Sequence, residues 1–155
     1  MNDAGVAEIN GAGGRFDDAI AAALRGAGFI VAGAAPAPVT LLINTSEAEI
    51  SPQRCHELAN AAPDGAEARV VNILDRRALA PSAETSPAWL EQAGRWTLTR
   101  NLALALAPRV RVNAIGLGWG DIDAADVVGA ILYLARAPAV TGQMVALGRD
   151  REAAS

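Results

Sequence analysis

The chain has 155 residues, 52% of them hydrophobic and 19% charged, and a formal net charge of −4. That size and apolar content suit one core rather than two, and the negative balance disfavours a nucleic-acid backbone as partner. Cys55 is the single cysteine, so no internal disulfide can form, which fits a reducing compartment. His56 beside it is the single histidine, and one Cys next to one His makes no metal site. Met1-Asn2-Asp3 lacks the basic start of a signal peptide. The most apolar run, Gly28 to Ile43, is broken by Pro36 and Pro38 and is too short to span a bilayer as one helix. The expectation is a cytoplasmic protein without membrane contact, with one domain over residues 1–150 and a frayed tail at 151–155.

Taken in order, Val6–Ile9 reads as a short first strand and leads into the glycine-rich turn Asn10-Gly11-Ala12-Gly13-Gly14. Phe16, Ile20, Ala23, Leu24 and Ala27 then recur at helical spacing, stopped by Gly26 and Gly28. Such a turn between strand and helix suits a dinucleotide pyrophosphate, because glycine lets the backbone approach and the helix N-terminus offers free N–H groups. Phe29–Ala32 is a second strand. Val39–Asn44 is a third, with a buried-strand pattern. Ser51 is a candidate N-cap, with Pro52 opening a short helix through Cys55, Leu58, Ala59 and Ala62 that Pro63-Asp64-Gly65 closes.

The apolar run Val70, Val71, Ile73, Leu74 stops at Asp75 and a loop punctuated by Pro81 and Pro87. About twenty helical residues follow, ending at Ala107-Pro108. Trp89, Ala93 and Trp96 mark one side of this helix and Leu98, Leu102 and Leu106 another, which predicts burial on more than one side. Val110–Ile115 forms the next strand. Strand, helix and strand in succession make a right-handed crossover with parallel strands. Asp123 is a candidate N-cap for a helix over Ala124–Ala135, and Val140–Leu147 reads as the last strand. The fold class is α/β: a Rossmann-like doubly wound parallel sheet, reduced in size, with the strands at 39–44, 70–74 and 110–115 central.

The stretch VVNILDRRALAPSAETSPAWLEQAGRWTLTRNLALALAPRVRVNAIGLG, from Val70 to Gly118, resembles the core of the short-chain dehydrogenase/reductase family. Within that family it is most similar to the pteridine-reductase-like branch, where an Asp replaces the usual catalytic Ser and Asp75 occupies that place. VTGQMVALG matches the family's last strand. The resemblance makes Asn10–Asp17 the cofactor loop, TGAxxRxG, with Gly11, Ala12 and Arg15 matching. Asn10 replaces the Thr and Asp17 the last glycine. Asn44 matches the first Asn of LLVNNAG, and Thr45 replaces the second. On this basis Gly11, Arg15 and Asn44 are the candidate cofactor-binding residues.

The same match places Ala88 where the family has its catalytic Tyr and Gln92 where it has the Lys four residues on. One helical turn separates these positions, so both face one site. Ala has no proton to give, and Gln no charge with which to depress a neighbour's pKa. The chain contains no lysine, and its one tyrosine, Tyr133, falls in the last helix. Asp75 is the remaining candidate acid, although a carboxylate followed by Arg76 and Arg77 more often forms a surface ion pair.

Other departures point the same way. One αβ unit is missing between the second and third strands, where the family recognises the adenosine ribose. The helix after the third strand is trimmed, and so is the segment after Gly118 that would close over substrate, which leaves Trp119 beside the pocket as filler or stacking platform. Three readings follow. The first is a non-catalytic member acting as a binding or structural subunit, in a homo-oligomer or with a related chain, and holding no cofactor tightly. The second is an NADP- or NAD-dependent pteridine-type reductase completed by unusual residues or a partner chain. The third is a non-redox enzyme reusing the pocket around Asp75 and Trp119.

Overall fold

The computed structural model describes residues 5–11, 13–31, 38–62, 65–80 and 86–150. Ala12, Ala32, Pro63-Asp64, the loop at Pro81 and the tail at 151–155 lie outside the described residues. Six strands form one parallel sheet: β1 (Val6–Asn10), β2 (Ile30–Val31), β3 (Val39–Asn44), β4 (Ala68–Asp75), β5 (Val110–Leu117) and β6 (Met144–Leu147), in the order β2-β1-β3-β4-β5-β6. Four α-helices connect them: α1 (Asp17–Gly26), α2 (Pro52–Ala61), α3 (Pro87–Leu106) and α4 (Ala124–Arg136). A 3-10 turn at Arg76–Leu79, which no periodicity announced, follows β4.

The two faces of the sheet follow from the two-residue period of its strands. Leu41 and Ile43 of β3, Val71 and Ile73 of β4, and Ile115 of β5 face α1 and α4, where Ile20, Leu24, Val127 and Ile131 meet them. Leu42, Val70 and Val112 point the other way, against Cys55 and Leu58 of α2 and Leu102 and Leu106 of α3. Both faces are covered, as parallel strands with apolar side chains on both sides require. Burying each such side chain contributes roughly 1.5–3 kcal/mol. Cys55 is fully buried, which pushes its thiol pKa up to about 11 and leaves it unreactive.

Local capping fixes the helix starts. Ser51 Oγ accepts from Arg54 N at 3.2 Å, Ser86 Oγ from Trp89 N at 3.4 Å and Asp123 Oδ1 from Ala125 N at 3.1 Å. Proline at the first position of α2 and α3 adds no further unsatisfied donor.

Two sequence readings need correction. The last strand begins at Met144 rather than Val140. Asn113 donates to Val140 O at 2.8 Å and accepts from Gln143 N at 3.0 Å, and Gly142 turns with φ +70°, so the chain is held in a turn before pairing begins. Within the chain itself, helix α3 is also buried on one side rather than several. Arg95, Thr99, Leu102, Ala103 and Leu106 are its buried residues, Trp89 and Trp96 are half-buried, and Leu104 is 82% exposed.

Only residues 32–38 separate β2 from β3, shorter than a helical crossover needs. The chain direction across the sheet reverses at β1, which has β2 on one side and β3 on the other. That reversal creates a crevice at the carboxyl ends of β1 and β3, the usual ligand position in open α/β sheets.

Candidate functional site

A cleft of about 660 Å³ opens at the carboxyl ends of the strands. The β1–α1 turn forms one wall, the residues after β3 the next, and the start of α3 faces them across Asp75 and Arg77. Leu117, Gly118, Gly120 and Ile122 close the remaining side; residues 118–123 alone link β5 to α4, so that link supplies no long segment over the opening.

The residues expected to bind a cofactor are at this end of the sheet, but each is already engaged. Gly11 has φ +93°, and a Cβ there would lie 2.8 Å from the Ala48 Cβ and closer still to Thr45 Oγ1. Glycine is therefore needed for Thr45 to approach, and that hydroxyl donates within reach of Asn10 O at 3.2 Å and Gly11 O at 3.1 Å. Asn44 is buried in a chain of side-chain bonds running through the sheet. Asn10 Nδ2 donates to Asn44 Oδ1 at 3.0 Å, Asn44 Nδ2 to Asn72 Oδ1 at 2.8 Å, and Asn72 Nδ2 to Thr99 Oγ1 at 3.0 Å. The three asparagines are register partners on β1, β3 and β4, so the ladder follows from the strand alignment. Arg15 reaches the opposite side of the cleft, where Nη2 donates to Ile122 O at 3.3 Å, and its guanidinium packs 5.1 Å from the Phe16 ring centroid.

Asp17 turns back from the first turn of α1. Its Oδ2 accepts the Gly14 N–H at 2.8 Å, while its Oδ1 is buried without a hydrogen-bond partner among the described residues. One of the donors that a glycine-rich turn offers to an anion, the Gly14 N–H, is thus taken by the chain's own carboxylate.

On the α3 side, the Asp75 carboxylate accepts from the backbone N–H of Arg77 at 3.0 Å and from its guanidinium Nε at 2.8 Å and Nη2 at 2.5 Å. The Asp75 hydrogen bond holds the Arg77 guanidinium pKa above its ordinary value. The same guanidinium lies 5.0 Å from the Trp119 ring centroid. Trp119 therefore stacks, but on Arg77, and its backbone pairs with Arg149 at 2.9 and 2.8 Å. Ala88 lines the cleft without a polar atom on its side chain. Gln92 bridges two strand ends: its Oε1 accepts from Asp75 N at 2.9 Å and its Nε2 donates to Ser46 O at 3.4 Å.

Arg95 was missing from the sequence reading. It is 5% exposed, and its guanidinium donates to Thr45 O at 2.8 Å, Ile73 O at 3.1 Å and Ala48 O. Burial pushes its pKa down, opposed by the nearby Glu91 and Glu47 carboxylates. The available signal was spacing: residues 95, 99, 102 and 106 share one helix face, and the last three are a small polar and two apolar residues.

The fold is a doubly wound, Rossmann-like α/β sheet with a cleft at the carboxyl ends of its strands, and comparison with known proteins agrees. Residues 91–147 match the family model of short chain dehydrogenase-like proteins. FolM alternative dihydrofolate reductase 1 from Brucella suis, solved in complex with NADP, superposes with a TM-score of 0.76 at 21% identity, over 92% of this chain and 92% of that one. A 3-ketoacyl-(acyl-carrier-protein) reductase from Brucella melitensis complexed with NADH gives 0.72 at 17%, over 94% and 98%. A short-chain dehydrogenase/reductase from Serratia marcescens gives 0.69 at 18%, over 94% and 96%. No curated protein sequence gives a significant match. At these identities the structural likeness is one of fold. The sequence resemblance to the short-chain dehydrogenase/reductases and the fold agree, in a chain shortened to 155 residues.

No helix among the described residues is long and apolar enough to cross a membrane, and among them no cluster of His, Cys, Asp or Glu could hold a metal.

Proposed function

We propose that this chain is a catalytically degenerate short-chain dehydrogenase/reductase-like protein that serves as a binding or structural subunit in a reducing cytoplasm, in a homo-oligomer or beside a related chain. The observation that carries this reading is the pair Ala88 and Gln92 at the cleft. A proton donor at the first position would contribute about 10²–10⁴-fold to reduction, and alanine supplies none. A cation at the second would tune that donor, and Gln92 instead spends its amide on the backbone of Asp75 and Ser46.

The nicotinamide dinucleotide that the fold implies does not fit the residues present. Asp17 takes the Gly14 N–H, and the two basic side chains among the described lining residues, Arg15 and Arg77, are bonded to Ile122 O and Asp75. The Asp75 carboxylate, bound by its own neighbour Arg77, is better suited to shaping the site than to transferring protons.

The second reading is an NAD(P)H-dependent pteridine-type reductase completed by a partner chain. It is favoured by the cleft itself, which persists at the carboxyl ends of the strands with Asp75 on its wall. An assay of NADPH oxidation with dihydropterins separates the two. The purified chain should give no turnover above background, and turnover by the chain alone would overturn the first reading. Turnover that appears only on adding a co-purifying chain with its own Tyr–Lys pair supports the second.

A further inference from the structure

The first turn of α1 carries two carboxylates, Asp17 and Asp18, and Asp17 is the one that folds back onto the preceding turn. Its Oδ2 accepts the Gly14 N–H at 2.8 Å, and its Oδ1 lies 2.5 Å from where a Cβ on residue 14 would be. A backbone N–H in a glycine-rich turn ahead of a helix is a natural phosphate donor, and the helix N-terminus adds a partial positive charge. Here an internal anion uses both. Phe16, the N-cap residue of α1, makes no side-chain capping bond, so Asp17 is the side chain that answers the exposed donor in this turn.

We infer that Asp17 is a built-in anion seated where a dinucleotide diphosphate would be held, and that this side chain sets the ligand specificity of the cleft by excluding nucleotide diphosphates. The inference rests on the function proposed above and assigns its binding defect to one residue. Two effects act together. The carboxylate competes for the Gly14 N–H, and it repels a second anion brought to the same turn. Its Oδ1 adds to the second effect, because no donor among the described residues bonds that oxygen.

The test is titration calorimetry at low salt with NADPH, NADH and inorganic pyrophosphate, on the unaltered chain and on D17N, D17A and D17G. Asparagine keeps the shape and can still accept from Gly14 N–H, so it removes charge but not competition. Alanine and glycine remove both. NADPH and pyrophosphate should bind D17A and D17G on the order of a hundredfold more tightly than the unaltered chain, the scale of one unit charge ~5 Å away at an effective dielectric of ~20. D17N should fall between, and its gain should shrink as salt is raised. If D17A and D17G lose the fold by circular dichroism, D17N carries the test, and no gain in D17N overturns the inference. Equal, weak binding by the unaltered chain and by folded D17A and D17G overturns the assignment to Asp17 and leaves the proposed function standing. Micromolar NADPH binding by the unaltered chain overturns both.

Discussion

The backbone N–H of Asp75 donates to Gln92 Oε1 at 2.9 Å, so the carboxyl end of β4 is tied to the second turn of α3. Glutamine can accept that bond; a protonated lysine cannot. Lysine at position 92 therefore removes a tie. Q92K should lower stability by about 1–3 kcal/mol, since the Asp75 N–H is left part-buried without its acceptor. Q92E keeps an acceptor and should lose less. Urea midpoints measured at matched m-values decide it, and a Q92K midpoint equal to that of the unaltered chain would count against the tie.

Arg95 offers a larger effect. Its guanidinium collects the carbonyls of Thr45, Ala48 and Ile73, so the segment after β3 and the end of β4 hang on one cation. R95M keeps the stem and removes the donors, leaving three carbonyls without that partner. The expected loss is about 2–4 kcal/mol, because each bond to a charged group contributes roughly 1.5–3 kcal/mol and part is offset by relief of the guanidinium's desolvation. R95K, with a single ammonium, should fall between. Hydrogen exchange should show the loosening first at residues 45–50, next to the cleft wall.

These two side chains also show where the sequence was readable. The strands at 39–44, 70–74 and 110–115 were legible because apolar runs bounded by Pro, Gly and Asp have few other fates, and their central positions followed from the crossover. The Ser51 and Asp123 caps were legible because the cap bond is local. Family spacing placed Ala88, Gln92 and Asp75 at one cleft. It could not show that Gln92 holds Asp75 N, since that bond depends on how far α3 sits from β4. Arg95 was hidden for a similar reason: pattern reading sends an arginine to solvent, and only the carbonyls left free after β3 make its burial stable. The start of β6 was misplaced because Asn113, a residue of another strand, holds Val140 and Gln143 in a turn.

A pH dependence follows from the Glu67–Arg111 pair. Arg111 Nε and Nη2 donate to the two carboxylate oxygens of Glu67 at 2.8 and 2.9 Å, joining the approach to β4 to β5. That hydrogen bonding holds the Glu67 pKa below its ordinary value. A depressed carboxylate pKa stabilises the folded chain fully above the unfolded value, near 4.3 for glutamate, and the contribution disappears as pH falls through the lower folded value. E67Q should therefore be less stable than the unaltered chain at pH 6, by under about 1 kcal/mol for a solvent-accessible pair. The two should converge as pH falls through the lowered folded value of Glu67. A difference that persists undiminished at pH 3 would show that the pair acts through packing rather than charge.

The outer face of α3 supplies the last expectation. Trp89 is half-buried on the cleft wall, and Trp96 is half-buried with the Arg100 guanidinium 6.0 Å from its ring centroid. Leu90 and Leu104, by contrast, are 59% and 82% exposed, fourteen positions apart and so on one face of the helix. Gly94 and Thr97 lie between them at the same spacing, both exposed and small enough to let another helix approach closely. Leucine at the two ends and small residues between give a surface a second chain could cover over the length of the helix. If the chain assembles through this face, L104E should shift its mass towards monomer in size-exclusion chromatography with light scattering, with circular dichroism unchanged. L90E should act in the same direction. W96E, by disturbing a side chain that is packed rather than presented, should instead lower the unfolding midpoint. An oligomer whose mass is unaffected by L90E and L104E together would place the interface elsewhere.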